Sequence, residues 1–120
     1  MNCLIGYWIT VCTFAGSSSG RISILSVVPG LRWVRMVLFS ELAALGPKHS
    51  KAEPLPGPTE QRLCALARET GLWLIPGSLF EQADGKVYNT TSVIDPQGEV
   101  IRRFRKLFPF RPYEQGVAAG

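Results

Sequence analysis

The chain has 120 residues, a net charge of +4 and a hydrophobic fraction of 46%. That length suffices for a single domain burying roughly two thirds of its unfolded surface, and the composition is that of a globular chain and not a disordered one. The basic excess is concentrated at Arg102, Arg103, Arg105 and Lys106, with no alternating aromatic residues for bases to stack on, which argues against a nucleic-acid partner.

Residues 3–15 are apolar, but no lysine or arginine precedes them and the run falls short of the roughly 20 residues a spanning helix needs, so neither a leader peptide nor a membrane segment is expected. Ser17-Ser18-Ser19-Gly20 interrupts the chain, 22–28 reads as a β-branched strand, and Pro29-Gly30 turns it. A cleaner pattern starts at Met36. The run 36–40 predicts a strand, delivering Glu41 at its end. The segment after it carries Pro47, Pro54, Pro56 and Pro58, which forbid regular structure.

A helix is predicted over 59–70, with Thr59 as N-cap, Glu60 in the favourable first turn, Leu63, Leu66 and Ala67 as an apolar stripe, and Gly71 as terminator. Strands follow at 72–75, broken by Pro76-Gly77, and at 78–80. Ala83-Asp84-Gly85 turns into a strand at 87–94, and Asp95-Pro96-Gln97-Gly98 turns into one at 99–106, which ends on Lys106. The expected class is α/β with a mixed sheet.

Three cysteines, Cys3, Cys12 and Cys64, and a single histidine, His49, with no CxxC pair, offer no metal-ligand set, and no metal or other cofactor is expected. The lack of a disulfide framework favours a reducing compartment, here the cytoplasm. Cys64 falls mid-helix beside Leu63 and Ala67, the setting of a small buried apolar residue and not of a nucleophile. His49 is expected at the surface of the proline-rich loop. Asn89-Thr90-Thr91 satisfies a glycosylation sequon but lies within a strand and reads as structural. A carboxylate and an amine delivered from two strands to one sheet edge are the parts of a general base and an electrostatic stabiliser, and Glu41 and Lys106 are placed to be those parts.

The stretches VLFSELAALGP, LPGPTEQRLCALARETG, LWLIPGSLFE, VYNTTSVIDPQGEVIRRFRK and LFPFRPYEQGVAAG, in that order over residues 36–120, resemble the amino-terminal half of the nitrilase superfamily, the carbon–nitrogen hydrolases. The resemblance implies a four-layer αββα sandwich, here incomplete, and hydrolysis of amides, nitriles or carbamoyl groups through a cysteine thioester. Residue by residue, Glu41 matches the family's general base, Lys106 the lysine that stabilises the oxyanion, and Glu114 a second glutamate that positions the other groups. The family's cysteine lies beyond this second glutamate, after another strand.

Two departures bias the expected substrate toward amides: Ser40 stands where the family has a proline before the first glutamate, and Leu107 where a histidine follows the lysine. A third concerns the front of the chain. The family places a helix between its first strand and the strand ending in the glutamate, and 28–36 has no room for a crossover of a dozen or more residues. Residues 1–33 are accordingly expected to be an atypical amino-terminal segment contributing little to the fold, and 34–120 the amino-terminal part of a carbon–nitrogen hydrolase domain. The implied partners are a small amide or nitrile and, in the complete enzyme, further copies of the same chain. A catalytically silent α/β module that binds through its incomplete sheet is the alternative from another class.

Overall fold

A computed structural model of the protein describes residues 10–12 and 35–120. The strand expected at 22–28 lies outside them. Within them the chain forms strands β1 (Thr10–Cys12) and β2 (Met36–Phe39), a short 3-10 turn (His49–Lys51), helix α1 (Pro58–Thr70), and strands β3 (Trp73–Ile75), β4 (Leu79–Ala83), β5 (Lys86–Ile94), β6 (Val100–Arg105) and β7 (Val117–Ala118). The class is α/β, as expected, with one mixed sheet and one helix. No helix among the described residues is long and apolar enough to cross a membrane.

The sheet is organised around β5. β1, β2 and β3 run parallel, β3 meets β5 antiparallel at Leu74 and Ile94, and β4 continues along the same edge of β5. The other edge of β5 is taken by β6, antiparallel, and β7, parallel, so that Thr90 has Leu79 on one side and Arg105 on the other. Two tight turns fix this register. Asp84 (φ 52°) and Gly85 (φ 71°) both adopt the left-handed conformation that a two-residue hairpin between right-twisted strands needs. At the β5–β6 turn, Asp95 Oδ1 accepts hydrogen bonds from the amides of Gln97 and Glu99.

Alternation along the strands gives the sheet two different faces. Val37, Leu74 and Ile94 lie side by side on one of them, and with Leu63 and Ala67 of α1 they form the core, each at most 2% exposed. Burying the valine, leucine and isoleucine side chains among them contributes about 1.5–3 kcal/mol apiece. Cys64 and Leu66 pack against this cluster from the helix, as the sequence pattern anticipates.

The helix start differs from expectation. Gly57, not Thr59, is the N-cap residue, and Pro58 occupies the first turn. Thr59 is itself capped: the Glu53 carboxylate accepts from its amide at 2.9 Å and from its hydroxyl at 2.8 Å. A carboxylate satisfies an orphan amide and complements the positive helix end better than a hydroxyl does, which explains the displacement. Gly71 ends the helix in the left-handed conformation (φ 65°), as expected.

Two of the clustered arginines, each with a side chain 37% exposed, are tied into buried carboxylates. Arg103 and Arg105 pair across β6 with Ser92 and Thr90, which puts them on the helix-covered face. Arg103 makes a two-pronged ion pair with Glu60 (2.8 and 2.7 Å), whose Oε1 also accepts from Ser92. Arg105 does the same with Glu81 (2.9 and 2.7 Å), assisted by Thr90, and lies 4.0 Å over the Tyr88 ring. Burial pushes the Glu60 carboxyl up, but the bonds from Arg103 and Ser92 outweigh it and leave the group below the usual carboxylate range. Glu60 is therefore a buried anchor joining helix to sheet and not merely a first-turn charge.

Candidate functional site

The opposite face of the sheet carries the polar cluster. Asn89 and Thr91 alternate with the core-facing residues of β5, and Lys106 follows the last residue of β6, where its amide donates to the Asn89 carbonyl at 2.8 Å. Glu41 leaves the end of β2 through a tight turn whose next residue, Leu42, has φ 55°. A branched aliphatic residue resists that conformation, and it is held there by the neighbouring β3–β4 bend: the Leu42 amide donates to Ser78 Oγ at 3.1 Å. Gly77 of the same bend has φ 74°, and a Cβ on it would stand 1.8 Å from the Ser40 carbonyl oxygen. Only glycine permits this approach. Thr91 Oγ1 donates to the Gly77 carbonyl, tying the bend to β5.

The three residues singled out in the sequence converge. Lys106 Nζ donates to Glu41 Oε1 and to Glu114 Oε2, each at 2.7 Å. Asn89 Nδ2 completes the set, donating to Glu41 Oε1 at 2.8 Å and to Glu114 Oε1 at 2.5 Å. Glu114 also accepts from the Phe110 amide at 2.6 Å, which closes the turn it sits in. The two carboxylates thus differ. Both oxygens of Glu114 are engaged and its side chain is 6% exposed, whereas Glu41 is 55% exposed and no hydrogen bond among the described residues reaches its Oε2.

Electrostatics follows from these bonds. Burial pushes the Glu114 carboxyl up, but the donors Asn89, Lys106 and the Phe110 amide prevail and hold it below the usual range. Glu114 and then Glu41 raise the Lys106 ammonium above its ordinary value, so it stays charged. An ammonium has three N–H groups, and two are spent on the carboxylates. Beside the cluster runs a groove of about 290 Å³ lined by Leu38, Ile75 and Phe104 as well as by Glu41, Asn89 and Lys106.

The other candidates lie elsewhere. Cys64 is on α1, across the sheet from the groove, and burial followed by the nearby Glu60 and Glu99 charges pushes its thiol up, opposite to what a nucleophile needs. His49 is exposed and packs edge-on against Phe80, with ring centroids 4.7 Å apart. No group of potential metal ligands occurs among the described residues. Sequence reasoning missed Asn89, whose 2% exposure also makes the sequon unavailable to glycosylation. Its position two residues before Thr91 on the groove side of β5 is the signal that could have found it.

The fold and this cluster define a nitrilase-type α/β sheet, incomplete in this chain. A family model described as carbon-nitrogen hydrolase matches residues 27–119, and the chain belongs to that family. Among curated proteins it is 42% identical over 59 residues to omega-amidase NIT2 of Mus musculus, a stretch covering 49% of this chain and 21% of that protein. It is 37% identical over 75 residues to hydrolase C26A3.11 of Schizosaccharomyces pombe, covering 61% and 23%. Among solved structures, an N-terminal amidase with a Gln-Val peptide superposes with a TM-score of 0.64 at 23% identity, over 72% of this chain and 22% of that one. An amidase from Nesterenkonia sp. gives 0.62 at 23% identity, over 72% and 35%. The chain matches only about a fifth of the length of its curated relatives.

Proposed function

We propose that this chain carries the base-and-lysine half of a carbon–nitrogen hydrolase site, acting in the complete enzyme on small amides, with the cysteine nucleophile supplied by polypeptide outside this sequence. The observation that carries the reading is the division of labour at Lys106. One ammonium bridges both carboxylates at 2.7 Å, and only Glu41 keeps an oxygen free of described partners. That oxygen suits a base, and the third ammonium N–H suits an oxyanion.

In the reaction so assigned, Glu41 takes the thiol proton as sulfur bonds to the amide carbon, and the carbonyl electrons move to oxygen beside Lys106. The tetrahedral species collapses, the C–N bond breaks, and the nitrogen leaves as an amine or ammonia with the proton from Glu41. Water, deprotonated by Glu41, then attacks the thioester, releasing the acid and returning the thiol. Glu114, fully engaged, positions Lys106 and takes no proton. Amides are favoured over nitriles by the likeness to omega-amidase NIT2 and by Ser40 and Leu107. The cytoplasm and a homo-oligomeric enzyme remain part of the proposal.

A graft tests it. Residues 27–119 replace the corresponding segment of mouse omega-amidase NIT2, and ammonia release from a small ω-amide is followed. Activity that falls at least about 100-fold in both Glu41→Gln and Lys106→Met supports the assignment. A folded graft that is inactive, or whose variants keep its rate, sinks it. The alternative of a silent binding module draws on the exposure of Phe104 (57%), Phe108 (84%) and Tyr113 (82%), and gains if the graft folds without activity.

A further inference from the structure

We infer that Asn89 is a positioning residue of the site: by giving both hydrogens of one amide nitrogen to two carboxylates, it turns Glu41 so that a single oxygen faces the groove and holds Glu114 against Lys106. The inference rests on the reading of Glu41 as base.

The argument starts from the backbone. Lys106 donates its amide to the carbonyl of Asn89, so the cation and the side-chain amide are set from one rung of the β5–β6 ladder. From there the Asn89 side chain reaches Glu41 Oε1, 48 residues away in sequence, and Glu114 Oε1, 25 residues away. Each is an oxygen on a different chain segment, one in the turn after β2 and one in the turn before β7. Asn89 therefore joins both turns to the sheet from within β5, as Lys106 does from the end of β6.

The residue type is also demanded by charge. Glu41, Glu114 and Lys106 together carry one net negative charge. An aspartate at 89 would add a third carboxylate and offer no hydrogen, and a lysine would neutralise the set and compete with Lys106. A neutral group with two splayed hydrogens fits both requirements. Because Asn89 is 2% exposed and the Glu114 side chain 6%, water is poorly placed to replace the bond between them. Its two bonds also converge with those of Lys106: Glu41 Oε1 receives both Asn89 and Lys106, which leaves Oε2 as the oxygen available for proton transfer.

The test uses the full chain and records by NMR the side-chain carboxyl carbon resonances of Glu41 and Glu114 at neutral pH, and the titration of Glu114, in wild type, Asn89→Ala, Asn89→Leu and Ser92→Ala. Ser92→Ala removes a buried hydrogen bond on the opposite face and controls for lost stability. Both carboxyl resonances should move in the two Asn89 variants and the Glu114 midpoint should rise, with wild-type values kept in Ser92→Ala. Asn89→Ala removes the amide without adding charge or bulk, so it keeps the test decisive if Asn89→Leu fails to fold. A lowered melting temperature with the Glu114 midpoint and the Glu41 resonance unmoved would overturn the inference and reduce Asn89 to a structural residue. The titration reads hydrogen bonds and not turnover. Shifted carboxyls with an inactive graft would therefore refute the proposed reaction and leave the positioning role standing, while unmoved carboxyls with an active graft would do the reverse.

Discussion

Replacing Lys106 with methionine removes the one cation shared by Glu41 and Glu114, and the structure fixes how large the effect should be. Two charge-assisted bonds of 2.7 Å are lost. Such a bond contributes about 1.5–3 kcal/mol when its partners are dry. The Glu41 side chain is 55% exposed, so solvent screens that bond to about 0.5 kcal/mol at most. The Glu114 side chain is 6% exposed and Lys106 29%, so that bond retains about 1.5 kcal/mol. Lys106→Met should therefore cost about 2 kcal/mol at neutral pH, with both carboxylates ionised. The folded-state pKa of Glu114 is depressed, so its contribution is present above the unfolded value of about 4.3 and is lost as pH falls through the folded one. In the variant this depression weakens, and the difference between the two proteins should shrink as pH falls below the unfolded value. Urea midpoints at pH 7 and pH 3 measure both quantities. An equal loss at the two pH values would mean that Lys106 acts through packing of its aliphatic stem and that the charge argument fails.

Arg103→Met should destabilise by about 2–3 kcal/mol because it strands the Glu60 carboxylate, and Glu60→Met with Arg103→Met should recover most of the loss in thermal denaturation. Gly77→Ala forces a left-handed alanine against the Ser40 carbonyl and should cost at least about 2 kcal/mol, with NMR shifts centred on Ser40, Glu41 and Leu42. The isolated chain should release no ammonia from simple amides, and release abolished by Cys64→Ala would contradict the placement of that thiol in the core. A domain boundary near residue 33 is proposed, and limited proteolysis should cut before Met36 first; protection there equal to that of β5 would refute the boundary.

The convergence of Glu41, Lys106 and Glu114 was legible because each stands at a chain position, a strand end or the turn beyond it, that the apolar pattern and the family resemblance both mark. Asn89 was not, since a polar residue within a strand carries no sign of which side chains the fold will bring to it. The partners of the arginines were not legible for a related reason. As a run, Arg102, Arg103 and Arg105 look like one basic surface, and only the pairing of β6 with β5 separates them by parity. Arg103 and Arg105 then meet Glu60 and Glu81, carboxylates 43 and 24 residues away. The helix start was shifted by a residue outside the helix, Glu53, which no window centred on Thr59 weighs. At the front, Thr10–Cys12 pairs in parallel with β2, a contact that the serine-rich break gave no reason to expect.

β5 places its odd-numbered residues Asn89 and Thr91 toward the groove and its even-numbered residues Tyr88, Thr90, Ser92 and Ile94 toward the helix. A strand displaced by one residue exchanges its faces. Such a slip would take Asn89 away from the carboxylates and Ile94 away from Leu63 and Leu74 in the same movement. Misregistered chains would thus lose their apolar core together with their polar cluster, so a molecule stable enough to persist already has its polar groups aligned. Quality control of the fold and assembly of the site are, in this strand, a single event.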